Sequence, residues 1–279
     1  MGALWIDDRL VDPESATIGV RDHGLTVGDG CFETMKVMRG QPFALTRHLG
    51  RLRRSLVALG FALDRTDDDL REACAAVVAA DPEAGIVRLT VTAGDGPFGS
   101  GRGAGPPRLI VASAPHRGWG DTADVVTVPW TRNERGALAG VKSTSYAENV
   151  IALARASEQA ASEALFANSV GALCEGTGTN VVVELDGRLV TPPLSSGCLA
   201  GVTRELVLEI AGSAGAVIDE VDVAYDVLTS TTEAFLTSST RDVMPIARID
   251  ERTLDAAPGP LTTPVAAAYA KLVADDLDP

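Results

Sequence analysis

Lys142 stands in the run Val141-Lys142-Ser143-Thr144-Ser145-Tyr146-Ala147-Glu148-Asn149, directly before a stretch of helical composition. Further on, Glu175 stands in Leu173-Cys174-Glu175-Gly176-Thr177-Gly178-Thr179-Asn180. A lysine amine in a partly desolvated setting loses its proton readily and can form a Schiff base. A carboxylate that keeps a pyridine nitrogen protonated turns that ring into an electron sink. In this order along the chain, the two residues suit pyridoxal phosphate (PLP) chemistry, with Lys142 as the nucleophilic amine and Glu175 on a glycine- and threonine-rich turn. Tyr146 is placed to donate to a cofactor oxygen. The turn after Glu175 offers the Thr179 hydroxyl and the Asn180 amide.

An anionic cofactor also needs a cup for its phosphate. Gly197-Cys198-Leu199-Ala200-Gly201-Val202-Thr203-Arg204 leads into a helix whose first amides point at any bound anion, and Thr203 adds a hydroxyl. The hydroxyl run Thr237-Ser238-Ser239-Thr240 supplies further donors. Arg51, off the leucine stripe of its helix, is the candidate for a full positive charge and is expected to face a neighbouring domain.

The elements that must position these groups are legible in outline. Leu4 to Asp7 reads as a short strand. Leu49, Leu52, Leu56 and Leu59 recur at helical spacing behind Thr46 as N-cap, until Gly60 stops the helix. Thr66 with Asp69 opens a second helix that runs to Asp81-Pro82. Ile86 to Thr92 and Leu109 to Ala112 read as strands on either side of a glycine-rich stretch. Linker composition then divides the chain into a small domain (1–115), a linker (116–122) and a larger domain (123–279). In the larger part, 125–129, 163–167 and 180–185 read as strands. Asp186-Gly187 reads as a hairpin turn, and 147–161 and 200–210 as helices. Thr263-Pro264 predicts an N-cap and first residue for a final helix reaching about Val273. The fold class is therefore mixed α/β (α+β).

Composition narrows the function classes. Among 279 residues, 46% are hydrophobic and 22% charged, enough apolar material for a real core. A formal net charge of −14 argues against duplex nucleic acid as a partner. Cys31, Cys74, Cys174 and Cys198 lie far apart with no CxxC pair, which predicts free thiols in a reducing compartment. His23, His48 and His116 have no ligand spacing, so no metal is expected. No leader is expected, because Met1 to Trp5 run straight into Asp7 and Asp8, and no membrane span, because the apolar run from Ala73 to Ala80 is too short; the predicted location is the cytoplasm.

Six blocks in order resemble the fold-type IV family of PLP enzymes, which includes D-amino acid and branched-chain transaminases, (R)-amine transaminases and 4-amino-4-deoxychorismate lyases. They are Arg21 to Gly24 with Gly28 to Thr34, His48 to Leu52, Lys142 to Asn149, Glu175 to Asn180, Gly201 to Arg204, and Ser239 to Pro245. The resemblance implies a small α/β domain and a larger domain built on a β-barrel-like sheet, with PLP at their interface, in a homodimer. It implies that Lys142 is the Schiff-base lysine, that Glu175 pairs with the pyridine nitrogen, and that Tyr146 reaches the 3′-oxygen. Arg51, Thr203, the Val202 amide and Ser239 are then phosphate ligands, with Thr179, Asn180 and Thr240 also in the cofactor site.

Within the family, Phe32 in Gly28-Asp29-Gly30-Cys31-Phe32-Glu33 suits both D-amino acid transaminases and lyases. Lys36 stands where branched-chain enzymes usually carry arginine. The Arg-x-His carboxylate trap of the best-known D-amino acid transaminases is replaced by Phe98-Gly99-Ser100. A carboxylate substrate still needs a cation, for which Arg88, Arg102 and Lys36 are the candidates. The leading expectation is a ping-pong transaminase moving an amino group from a D-amino acid, with (R)-amines as a wider donor class, to a 2-keto acid. A pyruvate-eliminating aminodeoxychorismate lyase is the alternative, and a branched-chain L-amino acid transaminase comes third.

Overall fold

The computed structural model describes residues 2–279. Among these, the chain divides into two compact units. One runs to Arg117 and takes in Val141–Tyr146 and Leu277–Pro279; the other comprises Gly118–Gly140 and Ala147–Asp276. The linker composition points to one boundary at 116–122, whereas Val141–Tyr146, with Lys142 and Tyr146, groups with the first unit.

The first unit contains, in chain order, β1 (Leu4–Ile6), β2 (Arg9–Val11), α1 (His23–Thr26), β3 (Gly30–Met38), β4 (Gln41–Pro42), α2 (Leu45–Leu59), α3 (Asp67–Ala80), β5 (Ile86–Thr92) and β6 (Arg108–Ala114). Its sheet has the order β2-β1-β6-β5-β3-β4. The strand β3 is not evident in the sequence, because Glu33, Thr34 and Lys36 break the apolar run that marks a strand. It alternates nonetheless: Cys31, Glu33 and Met35 turn to the buried side with Val91, Leu89 and Val87 of β5 opposite them. Leu49, Leu52 and Leu56 of α2 cover that side together with Leu70, Cys74 and Val77 of α3. Each such leucine contributes about 1.5–3 kcal/mol by leaving water. Thr66 and Asp69 form the predicted capping box, with each side chain bonded to the other's backbone amide. Thr46, by contrast, does not cap α2. Ala44 occupies the cap position, and Thr46 lies inside the first turn, where its amide and hydroxyl donate to Asp278.

The second unit contains β7 (Ala123–Arg132), α4 (Ala147–Glu158), β8 (Glu163–Asn168), β9 (Leu173–Gly176), β10 (Asn180–Leu185), β11 (Arg188–Thr191), α5 (Val202–Ala211), β12 (Ile218–Glu220), β13 (Ala234–Ser238), β14 (Asp242–Ile249), β15 (Arg252–Thr253) and α6 (Thr262–Asp275). Its sheet runs β12-β11-β10-β13-β14-β7-β8-β9, with β15 on β14. Pairing is parallel at β7–β8, β7–β14 and β11–β12, and antiparallel elsewhere. Asp186 and Gly187 both take positive φ in the tight β10–β11 turn, as their types predict. The final helix begins earlier than Thr263-Pro264 suggests: Thr262 is its first residue, and the Thr263 hydroxyl donates to the Gly259 carbonyl. Glu175 also differs from expectation. It lies on β9, opposite Phe166, and the turn follows it.

Candidate active site

In the first unit the Lys142 segment is laid along the start of β3. The Phe32 amide donates to the Lys142 carbonyl at 3.0 Å and the Thr144 amide to the Gly30 carbonyl at 2.8 Å, with an antiparallel bridge between Cys31 and Ser143. The Thr144 and Ser145 hydroxyls both donate to the Gly28 carbonyl. Gly28 has φ +69°, and a Cβ there would come within 2.5 Å of the Ser145 Oγ. Glycine thus lets the segment approach, which fixes the backbone of Lys142.

Alternation puts Phe32, Thr34 and Lys36 of β3 on the sheet face away from α2, together with Arg88 and Thr90 of β5. Phe32 is the hub of that face. The Lys142 Nζ lies 4.6 Å from its ring centroid and the Arg88 guanidinium 4.3 Å, while Tyr146 meets it edge-on at 5.3 Å. Arg88 Nε also donates to the Thr34 hydroxyl at 3.1 Å. Burial lowers the pKa of the guanidinium from its ordinary value, against the pull of Tyr146. Four of the expected site residues (Lys142, Tyr146, Phe32 and Arg88) are therefore brought together. Lys36 shares the face one strand pair further along.

Arg51 is placed differently from its expected position. It is buried within its own unit, where Nε donates to Glu33 Oε1 at 2.9 Å and Nη2 to Oε2 at 2.5 Å. His48 Nδ1 lies 2.7 Å from the same carboxylate. Burial pushes the Glu33 carboxyl up, but the charge and hydrogen bonds of Arg51, with help from His48, outweigh it and hold the group at about 2. Burial lowers His48, against the pull of Glu33, and the positive charges of Arg51 and Lys142 lower it further. Arg51 thus brings a charge that is already oriented and paired.

Arg102 is not a carboxylate receptor in this arrangement. Its Nε and Nη2 clamp Asp29, and Nη2 and Nη1 donate to the Leu59 and Gly60 carbonyls at the end of α2. The guanidinium also covers the Phe61 ring at 4.8 Å. The whole fork is used to pin the loop after β5, and its hydrogen bonds lower the pKa of Asp29.

In the second unit, Glu175 Oε2 accepts from the Leu199 amide at 2.9 Å and Oε1 lies 3.4 Å from Arg132 Nε. Arg132 stacks on Phe166 at 4.2 Å. One backbone donor and one guanidinium thus face the carboxylate that would pair with a ring nitrogen. Asn180 Nδ2 donates to the Leu199 carbonyl at 2.9 Å, and the Thr179 hydroxyl to Glu163 at 3.1 Å. Both groups thus serve the scaffold beside Glu175. The N-terminus of α5 has Gly201 at its cap with no side-chain capping bond. A Cβ on Gly201 would come within 2.0 Å of the Asn180 Oδ1. The Val202 and Thr203 amides follow, and Thr203 is buried with the Tyr269 phenol beside it. Ser239 and Thr240 form the turn between β13 and β14. The Thr237 hydroxyl, paired in register with Asn180, is buried without a hydrogen-bond partner. Uncapped amides and hydroxyls as donors, with a carboxylate as acceptor, form a set that fits a pyridine ring bearing a phosphate.

Glu33, Arg132 and Glu163 take part in these arrangements although the sequence motifs do not single them out. Glu33 carries one signal, since a charged residue alternating with Cys31 and Met35 demands a buried counterion. Glu163 meets the Thr177–Thr179 turn through antiparallel β8–β9 pairing, and Arg132 reaches Glu175 because β8 pairs with both β7 and β9, which no local pattern announces.

Residues 30–249 match the family model described as amino-transferase class IV. The chain is 30% identical over 269 residues to a D-alanine aminotransferase of Bacillus licheniformis, covering 95% of each. It superposes with a TM-score of 0.90 on the crystal structure of a branched-chain aminotransferase from Thermoproteus uzoniensis with norvaline, at 28% identity over 98% of this chain and 94% of that one. A second crystal structure, a T.th. branched-chain amino acid aminotransferase complexed with N-(5′-phosphopyridoxyl)-L-glutamate, gives 0.89 at 26% identity, over 98% and 94%.

Proposed function

Because the chain belongs to the class IV aminotransferases, a family of fold-type IV enzymes that use PLP, we propose that it transfers an amino group from a D-amino acid to a 2-keto acid by a ping-pong mechanism. The observation that carries this reading is the pair of cations on the Phe32 ring: an amine, Lys142, and a carboxylate receptor, Arg88, gathered on one sheet face. A donor bearing both an amino and a carboxylate group matches that pair. Lys36, in the place of the branched-chain enzymes' arginine, supports D-amino acids over branched-chain L-amino acids.

Bound PLP supplies an electrophilic carbon for the donor amine and an electron sink for the carbanion at the substrate Cα. The chain supplies the rest. Lys142 Nζ would take the proton from the substrate Cα and hold it for return, work that suits an amine lying against the Phe32 ring on a backbone fixed by the Phe32 amide. Glu175, fixed by Leu199 and Arg132, holds the proton on the ring nitrogen. The amino end of α5, with Thr203, Ser239 and Thr240, binds the phosphate, and Arg51, oriented by Glu33, adds positive charge. Arg88 orients the substrate carboxylate, while Phe32 and Tyr146 exclude water around the Lys142 amine.

Val150, Ile151 and Leu153 leave an apolar exposed side on α4, which supports a homodimer. Among the described residues, no helix is long and apolar enough to cross a membrane.

The test is a half-reaction. Holoenzyme is mixed with D-alanine, D-glutamate, L-leucine or (R)-1-phenylethylamine, and the visible cofactor band is followed. Bleaching by the D-amino acids, reversed by pyruvate or 2-oxoglutarate, supports the proposal. Bleaching by L-leucine alone makes the enzyme a branched-chain transaminase. Pyruvate release from aminodeoxychorismate without any keto acid acceptor makes it a lyase.

A further inference from the structure

Glu163, the first residue of β8, is 1% exposed, and its carboxylate accepts an unusual number of donors. Oε1 accepts from the Ala164 amide at 3.0 Å, from the Thr177 amide at 2.9 Å and from the Thr177 hydroxyl. Oε2 accepts from the Thr179 hydroxyl at 3.1 Å and, at 3.4 Å, from the Gly178 amide. Every residue of the Thr177–Thr179 turn therefore donates to this one carboxylate. On the turn's other side, Asn149 Nδ2 donates to the Thr177 carbonyl.

That turn joins β9 to β10, so it links Glu175 to Asn180. Asn180 holds the Leu199 carbonyl, and the Leu199 amide holds Glu175. The connections form a closed ring: Glu163 fixes the turn, the turn sets Asn180, Asn180 sets Leu199, and Leu199 aims the Glu175 carboxylate. The second loop of the cradle ends at the same corner. Arg241 Nη2 donates to the Ser162 carbonyl at 2.6 Å, and its guanidinium stacks on Trp119 at 3.7 Å. The Arg241 amide closes the Ser238–Arg241 turn that carries Ser239 and Thr240. Arg241 and Glu163 also attract each other as opposite charges.

We propose that Glu163 is a positioning residue for the cofactor cradle, holding the Thr177–Thr179 turn so that Glu175 and the amino end of α5 keep their places. It does not touch the cofactor and acts through the turn. A carboxylate is required because only two oxygens without hydrogens can accept from all of these donors. A glutamine would present an NH2 group either to the Ala164 and Thr177 amides or to the Gly178 amide, none of which can accept from it. The inference rests on the reading of Glu175 as the partner of the pyridine nitrogen.

The experiment compares Glu163→Gln, Glu163→Asp and Glu175→Gln with Glu184→Gln, a control removed from the cradle. Glu184 also anchors a turn, accepting from the Gly187 amide and the Thr232 hydroxyl. Three quantities are read: the PLP dissociation constant by equilibrium dialysis, the pH midpoint of the visible band, and the melting temperature of the apo protein. For Glu163→Gln, the dissociation constant should rise about tenfold and the band's pH midpoint should move. Glu163→Asp should recover part of both. The control should lower only the melting temperature. If Glu163→Gln melts earlier but leaves both cofactor readouts unchanged, Glu163 is structural only and the proposal fails. If Glu175→Gln leaves the band unaltered, the reading of Glu175 fails and this inference falls with it, a failure that variant alone identifies. Should Glu163→Gln not fold, Thr179→Val removes one donor from the carboxylate; a silent band and unchanged PLP affinity in that variant overturn the proposal.

Discussion

Arg88 and Phe32 sit on adjacent strands of the first unit with the guanidinium 4.3 Å from the ring centroid, the same ring that the Lys142 amine approaches to 4.6 Å. The arginine therefore has a fixed position relative to the amine through a shared, buried aromatic side chain. A substrate carboxylate bound there would make charge-assisted hydrogen bonds in a partly desolvated setting. Arg88→Ala should lower kcat/KM for D-alanine and for pyruvate about 10–100-fold. The half-reaction with (R)-1-phenylethylamine, which has no carboxylate, should be nearly unchanged. Arg88→Lys should restore only part of the loss, because an ammonium cannot reproduce the planar fork. Equal losses with amino acids and amines would remove Arg88 from substrate recognition.

Gly28 acts on Lys142 from a distance. Its carbonyl anchors the Thr144 and Ser145 hydroxyls, and its φ of +69° suits glycine. Gly28→Ala should cost about 1–2 kcal/mol for the left-handed backbone alone. It also pushes the Ser145 side chain, which a new Cβ would approach to 2.5 Å. The variant should melt earlier and turn over more slowly, with PLP still bound. Adding Ser145→Ala removes the colliding oxygen, so the double variant should regain turnover faster than it regains stability. Loss of both in parallel would mean that the backbone strain, not the collision, displaces Lys142.

Much of the site is legible in the chain because PLP chemistry needs residue types that stand out locally. Lys142 precedes a helix, Glu175 precedes a flexible turn, and Gly201 to Arg204 open a helix. What local pattern does not reveal is whatever depends on pairing across the fold. The polar side of β3 hides a strand, since its inward glutamate is tolerated only because α2 brings Arg51 and His48 to it. The same contact makes Arg51 the partner of a buried carboxylate, a task its position off the leucine stripe does not reveal. Arg102 resembles a substrate ligand because its loop is glycine-rich, yet Asp29, remote in sequence, takes its charge. Thr46 has the right type for an N-cap, but the chain enters α2 early, through Ala44.

Arg132 offers a test of how Glu175 is tuned. Its Nε lies 3.4 Å from the Glu175 carboxylate while its guanidinium rests on Phe166, so its position is set by packing as well as by charge. Arg132→Met keeps much of the side chain's bulk and removes the charge. Glu175 then retains the Leu199 amide as a partner. The rate of the donor half-reaction should fall about tenfold, the order of one charged hydrogen bond. Stopped-flow absorbance measures this directly. An unchanged rate would show that Glu175 keeps its working state without the Arg132 charge.

Acid should weaken the first unit through Glu33 and His48 in a defined order. His48 is buried and its pKa is depressed below 6.5, so the stability it contributes is present above that value and is lost as pH falls toward its folded pKa. Glu33 is held at about 2 against an ordinary 4.5, so its contribution is present above 4.5 and is lost as pH falls through about 2. The melting temperature should thus begin to decline below pH 6.5 and fall more steeply below pH 4.5. Glu33→Gln removes the second component and leaves Arg51 buried opposite an uncharged amide. Breaking a buried pair in this way should cost about 3–5 kcal/mol at neutral pH. Below pH 4.5 the variant should also lose stability less steeply than the wild type. Melting curves of both proteins across this range decide the matter. If the two acid limbs run parallel, the Glu33 carboxylate is not the group whose protonation destabilises the fold.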